Sequence, residues 1–411
     1  MDAPLAPSPV MIFRSGLAAV LAAGIFGVSG CADSPTAPPS RSELVERYDL
    51  QLLPEMVFPR DNPPNPDRIE LGRLIFFDPI QSAGKDVACS TCHLPRFGFA
   101  DGRDLPVGPS GVGLGPERVL TDPDMVPEGR HSPTVINVGF NRFGAEWTAD
   151  GFMFWDGRKR RLENLVTLPQ TEFSEMRGEG YSPEETTDTV LARFRAIPEY
   201  EELFRKAFPG NAAAVDRGER ESAVDSLSWA RALAQFVRSI TSTDSRYDRF
   251  VAGDESALTD AEKRGLVLFH EKADCAACHS GPMFSDFKFH VVGAKQLGPG
   301  FQGTPHEDLG RWNVTRLDQD RYKFRTPSLR NVAETAPYMH SGGYATLEDV
   351  LAFKDRGGGD HPFVPRDRIE LEPLGLTGSE MQDIIAFLKA LSDPPEVEVP
   401  ERVPSGLTVP R

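Results

Sequence analysis

One five-residue pattern occurs twice and limits what this chain can fold around. "CSTCH" spans Cys89 to His93, and "CAACH" spans Cys275 to His279. The chain has 411 residues and five cysteines, so these two segments use four of them. C-x-x-C-H is the attachment signature of a c-type haem: both thiols bond the porphyrin and the adjacent histidine reaches the iron. A thioredoxin-like redox pair also uses C-x-x-C but needs no histidine. A zinc site would need the two distant segments brought together. The reading is therefore two covalent haems, held by Cys89, Cys92 and His93 and by Cys275, Cys278 and His279.

The fifth cysteine, Cys31, ends "VSGC" after the apolar run "GLAAVLAAGIFGV". That run is short for a membrane span and reads as a lipoprotein-type signal peptide over residues 1–31, with Cys31 lipidated after cleavage. The alternative is an ordinary secretory signal that leaves Cys31 a free thiol. Either way the protein leaves the cytoplasm. The expected location is the periplasmic side of a bacterial membrane, anchored by lipid. Residues 32–48 are rich in Pro and Ser and read as a tether with nothing to bury. A net charge of −16 argues against nucleic acid as a partner. It suits steering of a basic partner protein, or simply keeps the protein soluble.

The repeat extends past the cysteines. "IELGRLIFFD" precedes the first site and "EKRGLVLFH" the second; "RHSPTVINV" and "FRTPSLRNV" follow them. The expected architecture is mostly α and loop-rich, with two cytochrome c-like haem domains in tandem over residues 49–245 and 246–394. Residues 395–411 read as a loose tail. "ESAVDSLSWARALAQFVRSI" has helical periodicity, and "TSTDSRYDRFVAGDES" reads as the connection between halves. Thr259 with Glu262, Thr346 with Asp349, and Thr377 with Glu380 are capping boxes that open helices. Ile384, Ile385, Leu388 and Leu391 mark one buried face of the last helix.

From Pro66 to Asp393 the chain resembles the bacterial di-haem cytochrome c peroxidase family, which includes MauG-like enzymes. "LGRLIFFD", "SPTVIN", "FWDGR", "CAACHSG", "TPSLRNVAETAPYMHSG" and "TLEDVLAF" carry the resemblance. It implies an exported enzyme with two unlike haems, an N-terminal one that reacts with peroxide and a C-terminal one that stores or relays electrons. Glu175 then stands over the first iron as the proton-moving base, and Trp155 lies between the haems as a relay. Trp147 has no counterpart and reads as structural or surface. The loop "VLTDPDMVPEG" lacks the histidine that blocks the first iron in many family peroxidases, so a five-coordinate resting iron is expected. His131, where the family usually has asparagine, is the alternative distal ligand. Leu165 stands in place of a family glutamine, which removes one hydrogen-bonding group.

The resemblance also implies that the sixth ligand of the second iron lies seventeen residues after Pro337, which is Lys354. Leu347, Val350 and Leu351 form an apolar stripe that Lys354 continues, so helical geometry aims it inward. An amine binds iron only when neutral, which burial favours. The alternatives are an ammonium that reaches water past the haem edge, and Met339 as the ligand. Family calcium would use carbonyls of Thr335 and Pro337, but His131 replaces its asparagine and imidazole suits calcium poorly. Three functions follow: a peroxidase for hydrogen peroxide fed by a small redox protein, a MauG-like oxidase acting on a Trp or Tyr of a partner protein, or a non-catalytic electron carrier.

Overall fold

A computed structural model of the protein describes residues 39–301 and 304–411. The signal segment, Cys31 and the start of the tether lie outside the described residues. Two glycines at equivalent places in the repeat explain how its main helices pair. The Pro66–Phe77 helix starts on Asn65, whose side chain accepts from the Arg68 N–H, with Pro66 in the first turn. A Cβ at Gly72 would collide with the Ala232 carbonyl, so this helix meets the Ser226–Ser239 helix at backbone contact. In the second half a Cβ at Gly265 would collide with the Asp383 carbonyl. There the Asp260–His270 helix meets Gly378–Lys389 in the same way.

Each crossing is sealed by aromatic rings and lies in its own hydrophobic core. In the first core the Phe76 and Phe236 rings meet edge-on at 5.1 Å, beside Phe77 and Trp229. In the second, Phe269 and Phe387 meet at 5.3 Å, beside Phe284 and Tyr247. The three capping boxes form as expected at Thr259, Thr346 and Thr377. Ile384, Ile385, Leu388 and Leu391 are all buried. The β-structure among the described residues is five antiparallel ladders of two-residue strands. Buried ion pairs stiffen both halves: Arg238 grips Glu163 at 2.6 and 2.8 Å, and Arg330 grips Asp248 with two bonds of 2.8 Å.

Two segments depart from the sequence expectation, and both have a physical reason. Residues 41–48, expected to be tether, form a helix capped by Ser40, and its Leu44 is fully buried in the second core. Leu50, assigned to the first domain, packs in that second core as well. Residues 395–411, expected to be loose, return to the first core: Val403 and Val409 are buried there. Ser405 donates to Asp78 at 2.7 Å, and Arg402 pairs with Glu199 at 2.9 Å. The connection also contains a helix, Arg246–Ala252, that buries Tyr247 and Phe250. No helix among the described residues is long and apolar enough to cross a membrane.

Candidate haem sites

Cys89–Cys92 is a single helical turn that presents its thiols on one wall of a cavity of about 260 Å³. Gln81 steadies the turn, donating to the Ile75 carbonyl at 2.8 Å and to the Cys89 sulfur at 3.4 Å. The His93 ring donates from Nδ1 to the Phe99 carbonyl at 3.0 Å, and the Ser132 hydroxyl lies 3.3 Å from the same nitrogen. That bond fixes the tautomer and leaves Nε2 free to bind a metal. Burial holds the ring below its ordinary pKa, which keeps it neutral. Phe76, Ile136, Leu233 and Val237 give the cavity apolar walls. Two thiols, a tethered neutral imidazole and an apolar slot fit a covalent haem.

Burial pushes the Cys89 thiol up to about 12 and Cys275 up to about 11. A redox C-x-x-C pair needs the opposite, a lowered thiol pKa. No disulfide joins the four described cysteines.

Glu175 sits on a π-helical turn, Phe173–Arg177, in which Arg177 N–H reaches back to Glu172 and Gly178 N–H to Phe173. Such turns recur at functional sites because the extra residue re-aims side chains. The Glu175 carboxyl lines the cavity, 3.8 Å from the Arg158 guanidinium. Burial, and then the neighbouring Glu128, push its pKa up to about 8. Leu165 lines the cavity as well.

Trp155 lines the cavity and ties both halves together. Its indole N–H donates to the His131 carbonyl at 3.0 Å, and its own carbonyl accepts from Arg325 N–H at 2.7 Å. The His131 ring is buried and donates from Nδ1 to the Arg103 carbonyl at 2.9 Å. Its chain neighbour Ser132 touches His93, and His131 itself lines the cavity. Trp147 lies edge-on to Phe287, another cavity-lining residue, at 6.0 Å.

The second site repeats the tether and changes the surroundings. His279 donates from Nδ1 to the Phe284 carbonyl at 2.9 Å, and burial pushes its pKa down to about 4. Cys275 packs against the second core, as does Met339. Lys354 is half-buried at the end of the Leu347–Asp355 helix, and among the described residues no carboxylate pairs with it. Desolvation pushes its pKa down to about 8. Thr335 donates its hydroxyl to the Val332 carbonyl at 3.2 Å. Among the described residues no group of three or more His, Cys, Asp or Glu side chains is arranged for a metal ion.

Sequence reasoning missed Glu128. The loop holding it stood out only for lacking a histidine, and one more acid in "DPDMVPEG" gives no signal. Its carboxyl lines the cavity with Glu175.

Residues 66–256 match the family model described as di-haem cytochrome c peroxidase. The methylamine utilization protein MauG of Methylorubrum extorquens is 34% identical over 403 residues, covering 96% of this chain and 98% of its own. Cytochrome c551 peroxidase of Pseudomonas aeruginosa is 32% identical over 361 residues, 87% of this chain and 89% of its own. A crystal structure of a MauG-like protein associated with microbial copper homeostasis superposes with a TM-score of 0.67 at 28% identity, covering 84% of this chain and 94% of that one. Family membership implies two c-type haems. On these matches the chain belongs to the di-haem cytochrome c peroxidase family and is an oxidoreductase.

Proposed function

We propose that this oxidoreductase reduces hydrogen peroxide at the first site, in a tandem of cytochrome c-like domains, with electrons passed through the second. The observation that carries the reading is that Glu175 lines the same cavity as Cys89, Cys92 and His93. A haem held there supplies the iron and the electrons for breaking the O–O bond. Glu175 takes a proton from one peroxide oxygen, a role suited to a carboxyl whose burial draws its pKa towards neutrality. Trp155 relays electrons between the two sites, supported by its bonds to His131 and Arg325.

On the second site Lys354 is the proposed sixth ligand and Met339 the alternative. What favours Lys354 is its lowered pKa, since only the neutral amine carries a lone pair. That choice also supports a second reading, the MauG-like oxidase that draws electrons from a Trp or Tyr of a partner protein. A nitrogen ligand lacks the potential-raising effect of methionine and suits storing oxidising equivalents. Calcium on the Thr335 and Pro337 carbonyls has the weakest support, because His131 supplies no hard oxygen. Export, Cys31 lipidation and a periplasmic redox or substrate partner complete the proposal.

The test is hydrogen peroxide added to the ferric holoprotein. Fast turnover with a reduced small cytochrome is the expected result. A long-lived oxidised spectrum that only one partner protein discharges would favour the oxidase. A spectrum indifferent to peroxide would leave an electron carrier and overturn both.

A further inference from the structure

The cavity must do more than remove one proton. Reduction of hydrogen peroxide consumes two protons and two electrons and yields two waters, so a second proton must reach the departing oxygen. Most other polar side chains around the cavity are committed elsewhere. Arg130 is locked to Asp156 and Asp308 at 2.7 and 2.6 Å. Ser132 donates to the Cys92 carbonyl at 2.7 Å, and Ser328 to the Met283 carbonyl at 2.8 Å. Arg158 does not release a proton at any working pH, and Leu165 has none to give.

Among the described residues Glu128 is the one carboxyl besides Glu175 that lines the cavity. Its Oε1 is buried with no hydrogen-bond partner among the described residues. A buried unpaired carboxyl oxygen costs about 1–3 kcal/mol, so its retention asks for a reason. The backbone holds it in place from two sides. Glu128 N–H donates to the Pro106 carbonyl at 2.8 Å. Two residues on, Gly108 presses so closely on the Ser174 and Glu175 carbonyls that no Cβ fits there. Buried Arg118 pins this bridging segment, donating to the Val107 and Gly108 carbonyls at 2.6 and 2.7 Å. On its far side Gly129 abuts the Gly300 carbonyl with the same lack of room. The loop is therefore fixed with Glu128 beside the turn that bears Glu175.

Resting on the peroxidase reading, we infer that Glu128 is the second proton-carrying side chain of this cavity, paired with Glu175. Two like charges in one desolvated cavity disfavour double ionisation, so the pair holds one shared proton. Glu175 takes the proton of one peroxide oxygen while Glu128 gives its own to the other. The O–O bond breaks, and the departing oxygen leaves as water. Two protons and two electrons, the latter from a reduced redox protein, turn the oxygen left behind into the second water, and the proton then on Glu175 is shared by the pair again.

The test compares wild-type holoprotein with Glu128→Gln and Glu128→Asp. Glutamine keeps the shape and hydrogen bonding but cannot release a proton. Glu128→Gln is expected to slow the peroxide-driven change of the ferric spectrum by ~10²-fold, and Glu128→Asp by a smaller factor. Infrared spectra of the resting proteins give a readout independent of turnover: a protonated-carboxyl band of wild type should be lost or displaced in Glu128→Gln. Glu128→Gln reacting at the wild-type rate, or an unchanged infrared spectrum, overturns this inference alone. Wild type that ignores peroxide overturns the functional reading first. Should Glu128→Gln fail to load haem, the rate and infrared band of Glu128→Asp decide.

Discussion

The two C-x-x-C-H sites share their tether and differ in everything opposite it. Both histidines give Nδ1 to a phenylalanine carbonyl a few residues on, at 3.0 Å for His93 and 2.9 Å for His279. Both sites follow a helix whose glycine meets a partner backbone. The first then opens on a cavity edged by Glu175 and Glu128, whereas Cys275 of the second packs into an aromatic core with Lys354 nearby. The two attachment turns are thus held alike and differ in what would meet a porphyrin's other face. Reactivity is set by that face.

The largest test of this contrast is Glu175→Gln. It should slow the reaction with peroxide by ~10²–10⁴-fold in stopped-flow mixing, with both haems still bound. With one proton shared by Glu175 and Glu128, the wild-type rate should fall as pH rises through about 8, where burial and Glu128 place the loss of that proton, and the variant should lose that limb. The sign for stability is the same. The folded carboxyl holds its proton more tightly than an unfolded glutamate, near ~4.3, so stability is fullest at low pH. It declines as pH climbs towards about 8.

Lys354→Met sharpens the comparison from the other side. It should change the spectrum of the second haem and raise that haem's reduction potential in a potentiometric titration, while the peroxide step keeps its rate. An unchanged potential would remove Lys354 from the iron. The smallest effect belongs to Thr346→Ala. Losing the cap of the helix that aims Lys354 should cost about 1 kcal/mol in chemical denaturation, without altering the first site.

How much was legible in the sequence depended on how local the signal was. The attachment turns, the three capping boxes and the Ile384–Leu391 face were readable because spacing of a few residues encodes them. The helix at 41–48 was missed although Ser40 and Glu43 carry the S-x-x-E signature that starts it; the proline-rich surroundings masked it. The last segment alternates valine with polar residues in "VEVPERV", a pattern of half-buried extended chain. Its proline content suggested a tail because nothing local names the distant core that it covers. Glu128 and the π-helical turn were out of reach altogether. Both exist through contacts between loops far apart in sequence.

The buried ends carry one more consequence. Leu44 and Leu50, early in the chain, complete the late core, while Val403 and Val409, at its close, complete the early one. The halves are laced crosswise. Severing the chain midway would give fragments that each lack apolar pieces held by the other, so neither should mature alone. The same lacing fixes the spacing between the two C-x-x-C-H sites as firmly as the interior of a single domain.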